Sequence, residues 1–397
     1  MRTHARMAAI GTGVAILVLV VIGLLARPFD ALPNPSGSES ASAVPSPLDA
    51  IAWMEVGGTE PGTGDGPSYR LRFGTLDRPA DAITLTVGQR AMNDVAIDTR
   101  TPAADGPDQW LAAYVADDGD VASVHLLDIR SGEDRVTHRL PQMVWTIVLD
   151  AKGGSIYAIV IDRQTFEDLG VWQLPLAGGE PHAVLPPARL APADVPVVRP
   201  VAIHGFIGRL YQGDDGRWLI RDQCASLAAD FVCERTALDL SNGEVVPLRE
   251  TAGQPVYGVL DDWLLGERCG LKCDLEMVRI RDEQRQDLEI QSPALGIVAW
   301  QGHRIVLHPS QVDPRDGLAH ALAVFDIDTG ADRVLATSRF GIDLVPRMNV
   351  EAPDGWVTFQ TLQRQSVVVN VVSMAGNSIA EVELPLLIFG ALGTANS

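Results

Sequence analysis

The feature that most constrains this chain is a short segment that recurs. Leu126–Leu140 reads as an apolar strand, a turn at Asp128-Ile129-Arg130-Ser131-Gly132, and a second strand. Counterparts of that turn begin at Asp128, Pro175, Asp239, Arg279, Asp326 and Ser373, separated by 47, 64, 40, 47 and 47 residues. A period in the forties is what four strands per unit demand. A looser unit precedes them, with strands near Ile51–Val56, Tyr69–Phe73 and Ile83–Val87, which brings the expected total to seven. The long interval contains Cys224–Cys233, which reads as an insertion between strands.

Each unit also has an upstream half, a polar tight turn leading into a strand. Leu149–Gly154 leads into Ile156–Val160, Asp214-Asp215-Gly216 into Trp218–Ile220, and Pro353-Asp354-Gly355 into Trp356–Phe359. Asp-Gly pairs supply the positive φ that tight hairpins need, and the alternating apolar residues predict sheets that pack on their neighbours. Trp110, Trp218, Trp263 and Trp356 fall at related positions, where a large ring fills the space between adjacent sheets. From about Leu48 onward no long stretch carries a helical period, so the reading is all-β.

The pattern "Pro-Asp-Gly, strand, loop, strand, Asp-x-x-x-Gly, strand" resembles the TolB-type propeller repeat, related to the larger WD-type group. Leu149–Leu185 and Pro353–Leu384 match it best, and the resemblance extends over roughly Leu48–Leu387. It implies a β-propeller of about seven four-stranded blades, closed by Ile51–Val56 joining the apolar tail Leu386–Leu392. The copies at Pro175, Arg279 and Ser373 depart from the pattern by lacking the Asp. Families with this repeat include periplasmic binding proteins and non-catalytic domains of peptidases, so the resemblance speaks to architecture more than to chemistry.

Residues 48–397 are therefore read as the propeller domain, and what precedes them as its tether. Met7–Ala26 is 20 residues without a charge, and as a helix it would span about 30 Å, the thickness of a bilayer's hydrocarbon core. Arg2 and Arg6 lie before it and only Arg27 between it and Arg70, a bias that leaves residues 1–6 in the cytoplasm. The expectation is a single-pass cell-membrane protein with an extracytoplasmic C-terminal domain. Cleavage as a signal peptide is the alternative, with Ala41-Ser42-Ala43 resembling a cleavage site placed rather far downstream. Residues 27–47 contain Pro28, Pro33, Pro35, Pro45 and Pro47 among Ser and Gly, an extended linker.

Four cysteines form two close pairs, Cys224/Cys233 and Cys269/Cys273. Outside the cytoplasm such pairs read as local disulfides. A zinc site and free thiols are the rivals, though spacings of eight and three intervening residues fit a four-Cys zinc site poorly. The formal net charge of −20 repels polyanions, which argues against nucleic acid as a partner.

Catalytic motifs are missing: there is no G-x-S-x-G elbow, P-loop, H-E-x-x-H or EF-hand loop. Among the histidines, His303 and His308 flank the strand-like Arg304–Leu307 on opposite faces and could meet His320 only through the 309–317 loop. Asp117-Asp118-Gly119-Asp120, Asp214-Asp215-Gly216 and Asp261-Asp262 could offer oxygens to calcium, but hairpin turns use the same residues. No metal, cofactor or catalytic residue is assigned. The functional expectation is a binding or scaffold module for a protein or a cell-envelope polymer. Its long loops, Gly57–Pro67, Gln223–Cys233 and Ser310–Ala319, are the first places to look. A glycan-acting hydrolase or lyase at the channel mouth and a structural accessory subunit are the alternatives.

Overall fold

The computed structural model describes residues 52–58, 69–75, 79–81, 83–87, 95–101, 109–129, 131–188, 206–213, 216–227, 230–269, 273–290, 294–301, 303–309, 319–343, 356–363, 366–373 and 378–384. The expected anchor at 7–26, the linker at 27–47 and the tail Leu386–Leu392 lie outside them. No helix among the described residues is long and apolar enough to cross a membrane.

The described part is all-β and antiparallel, a series of sheets taken in chain order. The first sheet holds β1 (Ala52–Gly58), β2 (Tyr69–Thr75) and β3 (Ile83–Val87). The second holds β4 (Val95–Thr101), β5 (Gln109–Asp117), β6 (Ala122–Asp128) and β7 (Asp134–Leu140). The third is β8 (Met143–Asp150), β9 (Ser155–Ile161), β10 (Asp168–Pro175) and β11 (His182–Leu185). The fourth is β12 (Phe206–Gln212), β13 (Trp218–Leu227), β14 (Asp230–Asp239) and β15 (Glu244–Pro247). The fifth is β16 (Val256–Leu260), β17 (Trp263–Cys269), β18 (Cys273–Arg279) and β19 (Arg285–Asp287). The sixth joins β20 (Ala294–Gln301), β21 (Arg304–Pro309), β22 (Ala319–Asp326) and β23 (Ala331–Asp343) to β24 (Trp356–Gln363), β25 (Ser366–Ser373) and β26 (Ser378–Leu384). The join is the long β23, whose end meets β24 through Ile342↔Thr361 and Asp343↔Gln360.

These sheets are consistent with propeller blades. The first strands of consecutive sheets touch, β4 against β8, β8 against β12 and β12 against β16. Fourth strands form the outer edge, and in the third and fourth sheets they are short and largely exposed, His-Ala-Val-Leu and Glu-Val-Val-Pro. Such an edge resists pairing with another chain.

The packing follows from strand alternation. β9 is buried along its whole length because both its faces are covered. Its Ile156, Ala158 and Val160 pack toward Leu111, Val115, Val124 and Leu126 of the second sheet. Its Tyr157, Ile159 and Ile161 pack the other way, against Leu210, Leu219 and Leu238 of the fourth. Trp218, Ile220 and Ala237 then meet Val259, Leu264 and Val278 of the fifth sheet. Leu265, Leu275 and Met277 meet Ile305, Leu307 and Phe325 of the sixth. At about 25 cal/mol per Å² of apolar area, these layers are the main source of stability.

The recurring turn lies in every case between the third and fourth strand of a unit. In four copies the fifth residue's N–H bonds back to the first residue's carbonyl, and in the three that begin with Asp the donor is a glycine: Gly132 to Asp128 at 2.8 Å, Gly243 to Asp239 at 2.8 Å and Gly330 to Asp326 at 2.9 Å. The Asp carboxylate caps the same turn, receiving the N–H of Ser131 at 3.1 Å, of Ser241 at 3.0 Å and of Thr329 at 3.1 Å. The closing glycines sit at φ +76°, +77° and +67°, in the left-handed region. At Arg279 the turn closes on Glu283 at φ +53° instead. There the carboxylate of Glu283 reaches the backbone N–H groups of Arg249 and Glu250, at 3.1 and 2.8 Å, and ties the turn to the preceding connection.

One expectation is corrected. Gln223–Cys233 is not an inserted loop: β13 and β14 simply run on as one hairpin, paired in register from Trp218↔Asp239 to Leu227↔Asp230. Polar residues around its middle, Arg221, Asp222, Gln223 and Glu234, hide the strand pattern. Of the other two loops, 59–67 and 310–318 lie outside the described residues.

Close packing between sheets predicts a sharp steric limit at Gly258 on β16. A Cβ there would lie 1.9 Å from the indole of Trp300 on β20. Gly258→Ala should lower unfolding stability by about 1–3 kcal/mol in urea titration; an unchanged midpoint would contradict this packing.

Candidate functional site

Antiparallel strands place hairpin turns alternately at two ends of each sheet. Second-to-third-strand hairpins and sheet-to-sheet connections share one end; the remaining turns share the other. Charged side chains gather at both ends of the fourth sheet, and the β13–β14 hairpin is the centre of the first cluster.

Cys224 and Cys233 stand directly opposite one another in that hairpin and form a disulfide, with a Cα–Cα distance of 4.1 Å. Nearer the sheet's middle lie two buried arginines on opposite faces. Arg221, 1% exposed, points toward the third sheet, donating to Glu234 Oε1 and to the carbonyl of Pro186, both at 2.5 Å. Asp168 of β10 lies 4.0 Å away. Arg235 points toward the fifth sheet and donates to Asp222 Oδ2 at 2.8 Å, to the carbonyl of Gln254 at 2.6 Å and to that of Thr251. A buried guanidinium is tolerable only with acceptors on its terminal nitrogens such as these, and removing one partner typically costs about 3–5 kcal/mol. The staple thus sits beyond two arginines that tie its hairpin to the segments on either side.

At the same end, Arg163 in the β9–β10 turn grips Asp117 of β5 bidentately, at 2.9 and 3.0 Å. It also donates to the carbonyls of Gly119, Pro141 and Gln142. This clamp joins the second and third sheets.

The opposite end carries a lattice around Trp218. Its indole N–H donates to Asp262 Oδ1 of the next sheet at 2.7 Å. The guanidinium of Arg217 lies 5.1 Å from the ring and that of Arg281 5.5 Å. Arg217 binds Asp239 at 2.8 Å and Asp262 at 3.1 Å. Asp239 is fully buried, and the hydrogen bond from Arg217 holds its carboxyl down at about 2. One turn further along, His303 stands 2.7 Å from Asp328 and 3.7 Å from Asp261 of the preceding sheet. The Asp328 hydrogen bond raises the imidazole's pKa.

A third cluster lies on β5–β7. The Tyr114 hydroxyl donates to Asp134 Oδ2 at 2.7 Å and lies 3.0 Å from His125 Nδ1, with the two rings stacked at 4.5 Å. Burial, then the Asp134 carboxylate, drives the Tyr114 pKa upward. This hydroxyl is a fixed donor, poorly suited to act as a base.

Of the residues singled out in the sequence, Cys224 and Cys233 are brought together. Cys269 and Cys273 are opposed across the β17–β18 hairpin, and their side chains lie outside the description. The histidines do not converge: His303 lies at one end of the β21–β22 hairpin, while His320 lies at the other and faces the carbonyl of Ser338 at 3.1 Å. The side chain of His308 is outside the described set. Among the acidic clusters, Asp117 serves the Arg163 clamp, Asp118 caps its turn through the N–H groups of Asp120 and Val121, and Asp262 anchors Trp218. Asp214 and Asp215 are not described. No group of three metal-ligating side chains occurs among the described residues. Trp218 and Trp263 begin the second strands of their sheets and pack in the core; the side chains of Trp110 and Trp356 are not described.

The arginines 163, 217, 221 and 235 carried no signal of their own in the sequence. One was available for two of them. If the cysteines fix the hairpin's register, Asp222 faces Arg235, and Arg221 lies diagonal to Glu234.

No protein-family model matches the sequence, and no curated protein matches it. Solved structures do resemble it. TolB from Acinetobacter baumannii aligns with a TM-score of 0.41 at 14% identity, over 84% of this chain and 80% of that one. An uncharacterized protein from Listeria monocytogenes aligns at 0.47 and 11%, over 76% and 87%. The β-propeller domain of the Trilobed protease from Pyrococcus furiosus aligns at 0.47 and 10%, over 86% and 95%.

The Asp239 lattice gives a signed pH prediction. Its folded pKa, about 2, lies below the ordinary 3.8, so its stabilisation is complete above 3.8 and is lost as pH falls toward 2. Wild type and Asp239→Asn should therefore differ most in Tm near neutrality and converge at acid pH. A difference independent of pH would contradict this.

Proposed function

We propose that this chain is a membrane-anchored, extracytoplasmic β-propeller that binds a protein or a cell-envelope polymer at the end of its sheets bearing the stapled hairpin. In this reading residues 7–26 form the anchor and 27–47 the tether, and the second cysteine pair, Cys269 and Cys273, is a disulfide like the first. Ring closure belongs to the same proposal. Because β3 leads directly into β4, the innermost strand of its sheet, β1–β3 fill the three outer positions and leave the inner one for the tail Leu386–Leu392.

The observation that carries the reading is the Cys224–Cys233 hairpin. A disulfide of this kind persists where thiols are oxidised, which supports an extracytoplasmic domain. The hairpin also runs beyond its outer neighbour: β15 covers β14 only from Thr236 to Asp239, while β13 and β14 pair on to Leu227↔Asp230. A projecting element that is covalently stapled at its middle and held at its base by Arg221 and Arg235 is preorganised, and preorganisation lowers the entropy cost of binding. The charged groups at this end support binding over catalysis, because they are engaged in holding sheets together.

The test is titration of the full-length protein in detergent against purified wall polymer and against solubilised envelope proteins. The proposal expects saturable binding with the ligand recovered unchanged, weakened roughly tenfold in a Cys224→Ser/Cys233→Ser variant that remains folded. Conversion of the polymer to shorter or unsaturated products would favour the glycan-acting alternative. Failure to bind either class would overturn the proposal.

A further inference from the structure

Between the fourth and fifth sheets lies a small cavity whose lining includes Arg235, Thr251 and Glu276. Each of the three contributes a buried polar atom with no hydrogen-bond partner: Arg235 Nε, Thr251 Oγ1 and Glu276 Oε2. The residues are 1%, 3% and 2% exposed. Their other atoms are well used. Arg235 spends both terminal nitrogens on Asp222 and on the carbonyls of Thr251 and Gln254. Glu276 Oε1 receives Arg285 at 2.7 Å. Its Oε2 has only the charge of Arg268, 3.5 Å away and without hydrogen-bond geometry. Of the seven buried side-chain atoms without a partner among the described residues, three belong to residues that line this one cavity, and that grouping calls for an occupant.

Size and charge identify it. The cavity offers about 10 Å³, roughly what the centre of a single water molecule needs and too little for anything larger. The Arg235 guanidinium in the cavity wall repels a cation, and the Glu276 carboxylate repels an anion. What remains is a neutral dipole that can accept once and donate twice. The geometry points to a single structural water that accepts from Arg235 Nε–H, donates to Glu276 Oε2, and exchanges a hydrogen bond with Thr251 Oγ1.

The bound water completes a buried charge chain across two sheets. Asp222 and Arg235 belong to the fourth sheet, Glu276 and Arg285 to the fifth, and Thr251 to the segment that connects them. The water joins the two ion pairs and lets both charges stay buried. Cys233 Sγ packs against Gly253 of the same connection, whose Thr251 and Gln254 line the cavity, so the staple and the water hold one segment.

Two measurements on the full-length protein test this. A high-resolution crystal structure should show one ordered water within hydrogen-bond reach of all three atoms. Oxygen-17 relaxation dispersion should count one fewer long-lived water in Thr251→Val, which keeps the side chain's shape and removes its hydroxyl. An empty cavity, direct pairing of Glu276 with Arg235 or Thr251, or equal water counts in the two proteins would overturn the assignment.

Discussion

A four-stranded sheet whose strands are apolar on both faces cannot stand in water, and everything else in this molecule follows from covering those faces. β9 states the problem most clearly: all seven of its residues are buried, alternate ones facing the second and the fourth sheet. No single neighbour can satisfy it. Each sheet must be sandwiched, and its neighbours must be sandwiched in turn, which is the arrangement propeller blades have. The fourth strands, largely exposed in the third and fourth sheets, are where the requirement ends and solvent begins.

Apolar layers alone leave sheets free to slide, since burial is not directional. Register between sheets is set by polar links at their two ends. Arg163 and Asp117 join the second sheet to the third, Trp218 and Asp262 the fourth to the fifth, and His303 and Asp261 the fifth to the sixth. Arg221 and Arg235 do the same from deeper positions, one on each face of the stapled hairpin. The fourth sheet is therefore the most heavily tied of the described units. It also carries the longest described hairpin, paired from Trp218↔Asp239 to Leu227↔Asp230, and that hairpin bears the disulfide.

The strands and turns were legible in the sequence because their causes are local. Asp128, Asp239 and Asp326 cap their own turns, and Gly132, Gly243 and Gly330 supply the left-handed closure, so five residues suffice to mark each one. The hairpin around Cys224 was misread for a physical reason. Arg221, Asp222, Gln223 and Glu234 interrupt the apolar alternation, and charged residues default to the surface in any local reading. Their burial depends on partners such as Pro186, Thr251 and Gln254, more than ten residues away and contributed by connections without periodicity. The fate of the acidic clusters was similarly hidden: Asp262 looks like a turn residue until the Trp218 indole of another sheet is placed beside it.

The central claim is that neighbouring sheets are locked by specific polar links across an apolar layer, and the Trp218–Asp262 contact is the place to measure it. A double-mutant cycle of Trp218→Phe and Asp262→Ala, read by urea unfolding, isolates the link from the packing around it. The account predicts a coupling of about 1–3 kcal/mol between these two residues of different sheets. Additivity within about 0.5 kcal/mol would show that the sheets are held by burial alone and would contradict it.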